Sequence, residues 1–346
     1  MTTPTSDLPM KPSGRIFACM LTAAAALASL LGGCAPDRMS EPGETPGKVI
    51  LSLRFDLGDI DYESAGSRAP KAGEISDDMP ANADEMMQSL RVVILDGKGF
   101  AEHNSYWEAA DASGALELKS FNFPITPNDT KTVILLANEK SLPADVRAEI
   151  SGINASAGQW VDIDKLRTLT FSTQIQDGYL LKRPLVMSDI HTVSIGNAPL
   201  TERTLPITRA AVKVSLRISN YGSRRYRLRN VQFTSFTTQQ YLFPTAAHSF
   251  KADMSHTFLS DEYIPAGGTL EPDPIYIPEG NSATTYQFSY QPASSSWSTS
   301  KDLDMTDLPR NTHIVINMTI NKDASTTVRY AVCPWNSETI NIPDFN

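Results

Sequence analysis

Val49-Ile50-Leu51-Ser52-Leu53-Arg54-Phe55-Asp56-Leu57 is the most regular stretch of the chain. Val49, Leu51, Leu53, Phe55 and Leu57 share one side of a two-residue repeat, while Ser52, Arg54 and Asp56 share the other. An extended backbone sends successive side chains to opposite faces, so a period of two over nine residues predicts a half-buried β-strand. Another strand is predicted downstream at 90–95, where Asp96-Gly97-Lys98-Gly99 supplies a tight turn into 100–107. Further strands are predicted at 132–137, 168–173, 227–236, 284–290, 313–320 and 326–333. The run 207–218 is read as one strand with Ala210, Val212, Val214, Leu216 and Ile218 facing in and Arg209, Lys213 and Arg217 facing out. One short helix is predicted, with Ser141 as its cap and Pro143 in its first turn, ending at Ile150. Many short strands with few helices predict an all-β fold of sandwich type. The stretch around Leu205-Pro206 divides it into a first sandwich over 74–205 and a second over 206–346.

Upstream of the first strand, Lys11 and Arg15 precede an apolar run over 16–31 that ends in Leu31-Gly32-Gly33-Cys34. Sixteen residues are short for a membrane span and have the layout of an export signal, beginning at Met1 or Met10. The ending resembles a bacterial lipoprotein signal. That resemblance implies removal of residues 1–33 and acylation of Cys34, with fatty acids such as palmitate, as the first residue of the mature protein. Ala35 rather than Asp follows the cysteine, which in that family points to the outer membrane.

The mature chain would keep 313 of the 346 residues, enough for two domains with separate cores. Its formal charge moves from −9 to −10, because Lys11, Arg15 and Asp7 leave with the signal. An acidic balance argues against nucleic acid as a partner. Of the three cysteines, Cys19 lies in the signal and Cys34 is the lipid site, leaving Cys333 without an intramolecular disulfide partner. Residues 63–73 form a soft linker rich in small residues, exposed and cleavable by composition. Segment 34–73 therefore holds the lipid site, the first strand and this linker.

Motifs of chemistry are absent from the sequence. There is no phosphate loop, no dinucleotide turn and no nucleophile elbow. His103, His191, His248, His256 and His313 are scattered and read as loop or surface residues rather than zinc ligands. Asp59/Asp61 and Asp162/Asp164 lack the glycine and distal Glu of a calcium loop and read as solvated turn acids. No enzyme, cofactor or metal is expected. Trp297, in the polar loop Ser294-Ser-Ser-Trp-Ser-Thr-Ser, is the one candidate for contact with a glycan, the other three tryptophans being expected in cores.

Short motifs over most of the mature chain resemble, in their order, the fimbrillin family of the Bacteroidales, the subunits of type V pili. They are Leu90-Arg-Val-Val-Ile-Leu-Asp-Gly-Lys-Gly99 running on to Asn104, Thr132-Val-Ile-Leu-Leu-Ala-Asn138, and Leu185-Val-Met-Ser188 with Val186 where the family often has Pro. Arg209-Ala-Ala-Val-Lys-Val214, Ile275-Tyr-Ile-Pro-Glu279 and Val332-Cys-Pro-Trp335 complete the set. The resemblance implies two tandem transthyretin-like β-sandwiches. It also implies delivery as a lipoprotein to the outer membrane and the cell-surface fimbrium. There an Arg-specific protease cuts near the N-terminus, the first strand is lost, and a neighbouring pilin's C-terminal strand fills the gap.

Arg68 before Ala69 is the expected cleavage point, since Arg54 lies inside the strand and cutting at Arg38 would leave the strand in place. Losing Val49, Leu51, Leu53, Phe55 and Leu57 removes roughly 7–15 kcal/mol of apolar burial before ordering costs, enough to demand replacement. Donor candidates are Val328, Tyr330 and Val332, then Ile340 and Ile342 beyond the turn at Pro334-Trp335. Either the first group detaches too, or it stays in its own sheet while only the tail is donated. If Arg68 stays uncut, the lipidated chain would be a basal anchor. A surface glycan-binding lipoprotein is the alternative from another class.

Overall fold

A computed structural model describes residues 47–57, 74–76, 83–110, 116, 120–151, 158–172, 181, 183–245, 250–280, 285–292, 295–303, 308–335 and 339–341. In the first part of the chain the strands are β1 Val49–Leu57, β2 Glu74–Ser76, β3 Ser89–Leu95, β4 Ala101–Glu108, β5 Phe121–Ile125, β6 Asp129–Ala137, β7 Thr170–Ser172, β8 Met187–Ile195 and β9 Leu200–Arg209. Helices α1 Ala144–Ser151 and α2 Ile163–Arg167 lie between β6 and β7. The sheet order is β4-β3-β6-β8-β9-β1-β5. Strand β9 pairs with β8 only through Met187↔Arg209 and Ser188↔Thr208, then runs parallel to β1. That brief junction lets the sheet fold over, so β4-β3-β6-β8 faces β9-β1-β5 across a core that includes Leu51, Leu53, Val92, Ile94, Phe123, Leu135 and Ile207.

The opposite face of β3 and β6 is also covered. Val93, Leu95, Ile134 and Leu136 pack with Val146 and Ile150 of α1 and Leu166 of α2. Burial on both faces explains why 90–95 and 132–137 read as nearly continuous apolar runs rather than alternating ones. The second helix escaped the sequence reading. Asp162, read as a solvated turn acid, is its N-cap and accepts a hydrogen bond from the Lys165 amide at 3.0 Å.

The second part contains β10 Val212–Asn220, β11 Tyr226–Phe236, β12 Gln239–Tyr241, β13 Met254–Ile264, β14 Thr269–Leu270, β15 Ile275–Ile277, β16 Gln287–Pro292, β17 Thr299–Asp302, β18 Thr312–Ile320, β19 Thr326–Pro334 and β20 Thr339–Asn341. One sheet has the order β14-β10-β18-β19, with β15 also on β10, and the other β13-β11-β16-β17. Their facing sides share a core that includes Val214, Leu216, Val231, Phe233, Phe288, Ile314 and Ile316. The molecule is all-β in character and built of packed sheets.

The predicted strand 207–218 is two strands, β9 and β10, separated by Ala210-Ala211. The chain changes sheets here: the Ala210 amide donates to the Val186 carbonyl at 2.8 Å, and the Asn311 amide to the Ala211 carbonyl at 2.7 Å. Two alanines let both neighbouring backbones approach. Arg209 and Lys213, expected to face out, are buried at 1% and 7% exposure, whereas Arg217 is exposed as expected.

Three further expectations change. His313 is buried rather than on the surface, and Trp160, expected in a core, is 56% exposed beside the turn at Gly99. Ser52, assigned to the outer face of β1, is buried because strands flank β1 on both sides.

Candidate functional site

The slot occupied by β1 is formed by two strands with different dependence on it. On one side β1 runs parallel to β9 from Ile50↔Leu200 to Leu57↔Ile207, and the Ile50 amide donates to the Pro199 carbonyl at 2.9 Å. On the other it pairs antiparallel with β5 from Val49↔Ile125 to Leu53↔Phe121. Among the described residues β5 has no other strand partner. It is also held sideways: His103 Nε2 lies 2.8 Å from the Pro124 carbonyl, and the Trp107 ring packs 4.4 Å from Phe121. The wall made by β5 thus has attachments to β4 that do not pass through β1.

Val49, Leu51, Leu53 and Phe55 are buried to between 0% and 6% exposure, and Arg54 points to solvent. Leu57 belongs to β1 by its backbone, and its side chain lies outside the described residues. Taking β1 away would strip two strand edges of hydrogen-bond partners and open an apolar trough. Exposed strand edges and buried unpaired amides are both unfavourable, so such a slot is a template for an incoming strand.

Cys34, Arg68, Ala69 and Ile342 lie outside the described residues, as do His248 and Asp59/Asp61. Val328, Tyr330 and Val332 sit in β19, which pairs with β18 over nine positions from Thr312↔Pro334 to Ile320↔Thr326. Ile340 sits in β20, paired with Ile75 of β2. Trp297 is 81% exposed, on a loop where the Ser295 hydroxyl donates to its carbonyl at 2.9 Å. No group of three or more His, Cys, Asp or Glu suited to a metal occurs among the described residues.

Sequence reading missed a buried polar cluster. Glu85, in a short 3₁₀ turn at Ala83–Glu85, is 2% exposed. Its carboxylate accepts hydrogen bonds from the Tyr276 hydroxyl at 2.6 Å and the Trp335 indole at 2.9 Å, and pairs with Lys213 at 3.0 Å. Burial works to raise its pKa, but the Lys213 charge and these donors outweigh it and hold the carboxyl below its ordinary value. Tyr276 is pushed well above the usual phenol range, first by burial and then by Glu85. Arg209 donates to the Glu85 carbonyl and to Asn311 Oδ1, both at 3.1 Å, and its guanidinium lies 5.0 Å from the Trp335 ring.

A second buried pair lies nearby in the chain's topology. Arg310 meets Glu279 at 2.6 and 3.1 Å and also donates to Ser188 Oγ and the Leu242 and Tyr241 carbonyls. Asn138, in the left-handed region at φ 58°, accepts from the Gln88 and Ser89 amides and donates to the Met86 and Leu185 carbonyls. The weak sequence motifs at 132–138, 185–188, 209–214, 275–279 and 332–335 thus supply Asn138, Ser188, Arg209, Lys213, Tyr276, Glu279 and Trp335 to these buried networks. The signal available in the sequence was charge placed inside apolar strands.

No family model and no curated protein sequence matches the chain. Solved structures do. The tip fimbrial protein Mfa3 from Porphyromonas gingivalis, with a C-terminal truncation, is similar with a TM-score of 0.52 at 14% identity, over 83% of this chain and 100% of that one. A candidate cell adhesion protein from Bacteroides eggerthii is similar with a TM-score of 0.51 at 12% identity, over 84% and 97%. At such identities what is shared is the fold. The chain therefore has a fold found in fimbrial and adhesion proteins of the Bacteroidales.

Proposed function

We propose that the protein is a structural subunit of a type V pilus, supporting cell adhesion without catalysis. It is exported as a lipoprotein on Cys34, reaches the outer membrane, and is cut after Arg68 by an Arg-specific protease. The cut removes 34–68 with β1, and a C-terminal strand of the next subunit, of the same or another pilin, enters the slot. The two sandwiches divide where the chain changes sheets, at Ala210-Ala211, a few residues past the expected Leu205-Pro206, which lies inside β9. The observation that carries this reading is the setting of β1, flanked by β9 on one side and on the other by β5, for which it is the strand partner. The shared fold with a tip fimbrial protein supports it. An intact Arg68 would make the same chain an anchor held by its lipid.

The test is to recover the protein from its host's surface, sequence its N-terminus and look for SDS-resistant ladders. A start at Ala69 with ladders is expected, and Arg68→Ala should leave an acylated Cys34 and a single band. Ladders that persist unchanged in Arg68→Ala would overturn the cleavage site. Their absence from a protein that does start at Ala69 would overturn the pilin reading. The exposed ring of Trp297 supports a second reading, surface glycan binding. That reading expects an acylated monomer whose glycan-array signal disappears in Trp297→Ala.

A further inference from the structure

We propose that Trp335 is the fixed end of the C-terminal chain, so that β19 stays in its own sheet and the donated strand begins beyond it. The inference rests on the strand-exchange reading above and decides which of its two candidate strands moves. Three separated segments converge on the Trp335 ring. Its indole N–H donates to Glu85 at 2.9 Å, and its face stacks on Tyr276 with centroids 5.7 Å apart and planes 7° from parallel. The Arg209 guanidinium lies 5.0 Å from it and the Lys213 ammonium 5.9 Å. Its own amide donates to the Asn311 carbonyl at 3.3 Å, and the residue is 7% exposed. Pulling this ring out would take a donor from a buried carboxylate and a cover from two cations, each an expensive loss.

What precedes Trp335 is held as firmly. Strand β19 pairs with β18 over nine positions, Val328 is buried, and Tyr330 and Val332 pack against the second core. Its outer edge is occupied at one point by Lys301, whose ammonium donates to the Val328 carbonyl at 2.9 Å. A lysine at a strand edge disfavours further pairing there. Among the described residues beyond Trp335 the pairing is shorter: β20 pairs with β2 over three positions, Glu74↔Asn341 to Ser76↔Thr339. The weak point of the C-terminal chain therefore follows Trp335.

Length is sufficient without β19. Residues 336–346 would span about 36 Å when extended, against about 30 Å for the nine residues of β1. Ile340 and Ile342 keep the two-residue alternation that the slot requires, although β1 itself carries five apolar residues. The occupant of the vacated slot is thus the short tail of a neighbouring subunit.

The experiment uses full-length protein in two measurements. In the first, ladder formation after cleavage is compared among the wild type, a chain ending at Trp335, and Asn317→Cys/Arg329→Cys, which joins facing positions of β18 and β19. Ladders are expected from the wild type and the oxidised double variant and from no chain ending at Trp335, with the melting temperature of that shortened chain serving as its folding control. Loss of ladders on oxidation, restored by reduction, would show that β19 itself moves and would overturn the inference. In the second, hydrogen exchange is followed in uncut protein, where amides of 328–333 should exchange at least about a hundredfold more slowly than those of 339–341. Trp335→Ala should reduce that protection about tenfold at 331–333. Equal rates in the two segments would overturn the inference, whereas protected β19 in a protein that never forms ladders would sink the pilin reading and leave the fixed end standing.

Discussion

His313 stands where a proton is hard to accept. Burial first, and then the Lys213 ammonium, push its pKa from 6.5 down to about 3, against a smaller opposing pull from Glu85; its Nε2 lies 2.8 Å from Ser215 Oγ. As pH falls below 6.5 the unfolded chain takes up a proton that the folded chain refuses, so stability present at neutral pH is lost progressively down to about pH 3. Between pH 6.5 and 4.5 this one residue should cost about 2–3 kcal/mol. His256, also lowered by burial, acts in the same direction, and Asp189, raised by burial, acts in the opposite one. Urea titrations of the wild type and His313→Gln at both pH values cancel those two contributions and isolate His313; an identical pH dependence in the two proteins would refute the assignment. Glu85, held below its ordinary value of 4.5, loses its contribution only at lower pH. For the buried Arg310–Glu279 pair, Arg310→Met leaves the carboxylate without its main partner. The expected loss is about 3–5 kcal/mol in the same urea assay, far more than an exposed pair such as Lys140–Glu108 would give.

Strand β1 makes a prediction that depends on the history of the molecule. Leu51 and Leu53 are both fully buried, so truncating either to Ala should destabilise the uncut protein by about 2–5 kcal/mol. In a subunit already cut after Arg68 the strand is gone, and the same substitutions should leave its melting temperature and its ladders unchanged. Measuring both forms separates a strand that is removed from one that is merely buried. The bounds of β1 were legible in advance because one face alternates without interruption. The sequence misled at 207–218 because two alternating strands abut with no polar residue between them. A clue lay in the phase: Ile207 is out of step with Ala210, Val212 and Val214, and the slip falls where the chain changes sheets.

At the scale of the whole molecule, the two parts are joined by polar contacts as well as apolar ones: Leu242, Phe243, Tyr276 and Trp335 share a buried cluster with Leu95, Leu136 and Leu166. Glu85 accepts from Tyr276, 191 residues away, and from Trp335, 250 residues away, while Arg310 reaches back 122 residues to Ser188. Contacts of that span make folding of one part depend on the other, so calorimetry of the uncut protein should give one unfolding transition. Glu85→Ala, which removes the shared acceptor and leaves Lys213 without its carboxylate, should broaden it or divide it in two. A single sharp transition in the variant would mean that the apolar contacts alone couple the cores.

Strand content, the alternation of β1 and the all-β class were legible in the chain itself, because each rests on neighbours two residues apart. The charges at Arg209 and Lys213 were visible too, yet their direction was not. A strand pattern distinguishes two faces without saying whether each meets water or protein. Only the tertiary structure brought Glu85, Tyr276 and Trp335 together, since no local periodicity connects residues so distant in sequence. It also put β1 between β9 and β5, a pairing set by where the sheet folds over at the short β8–β9 junction.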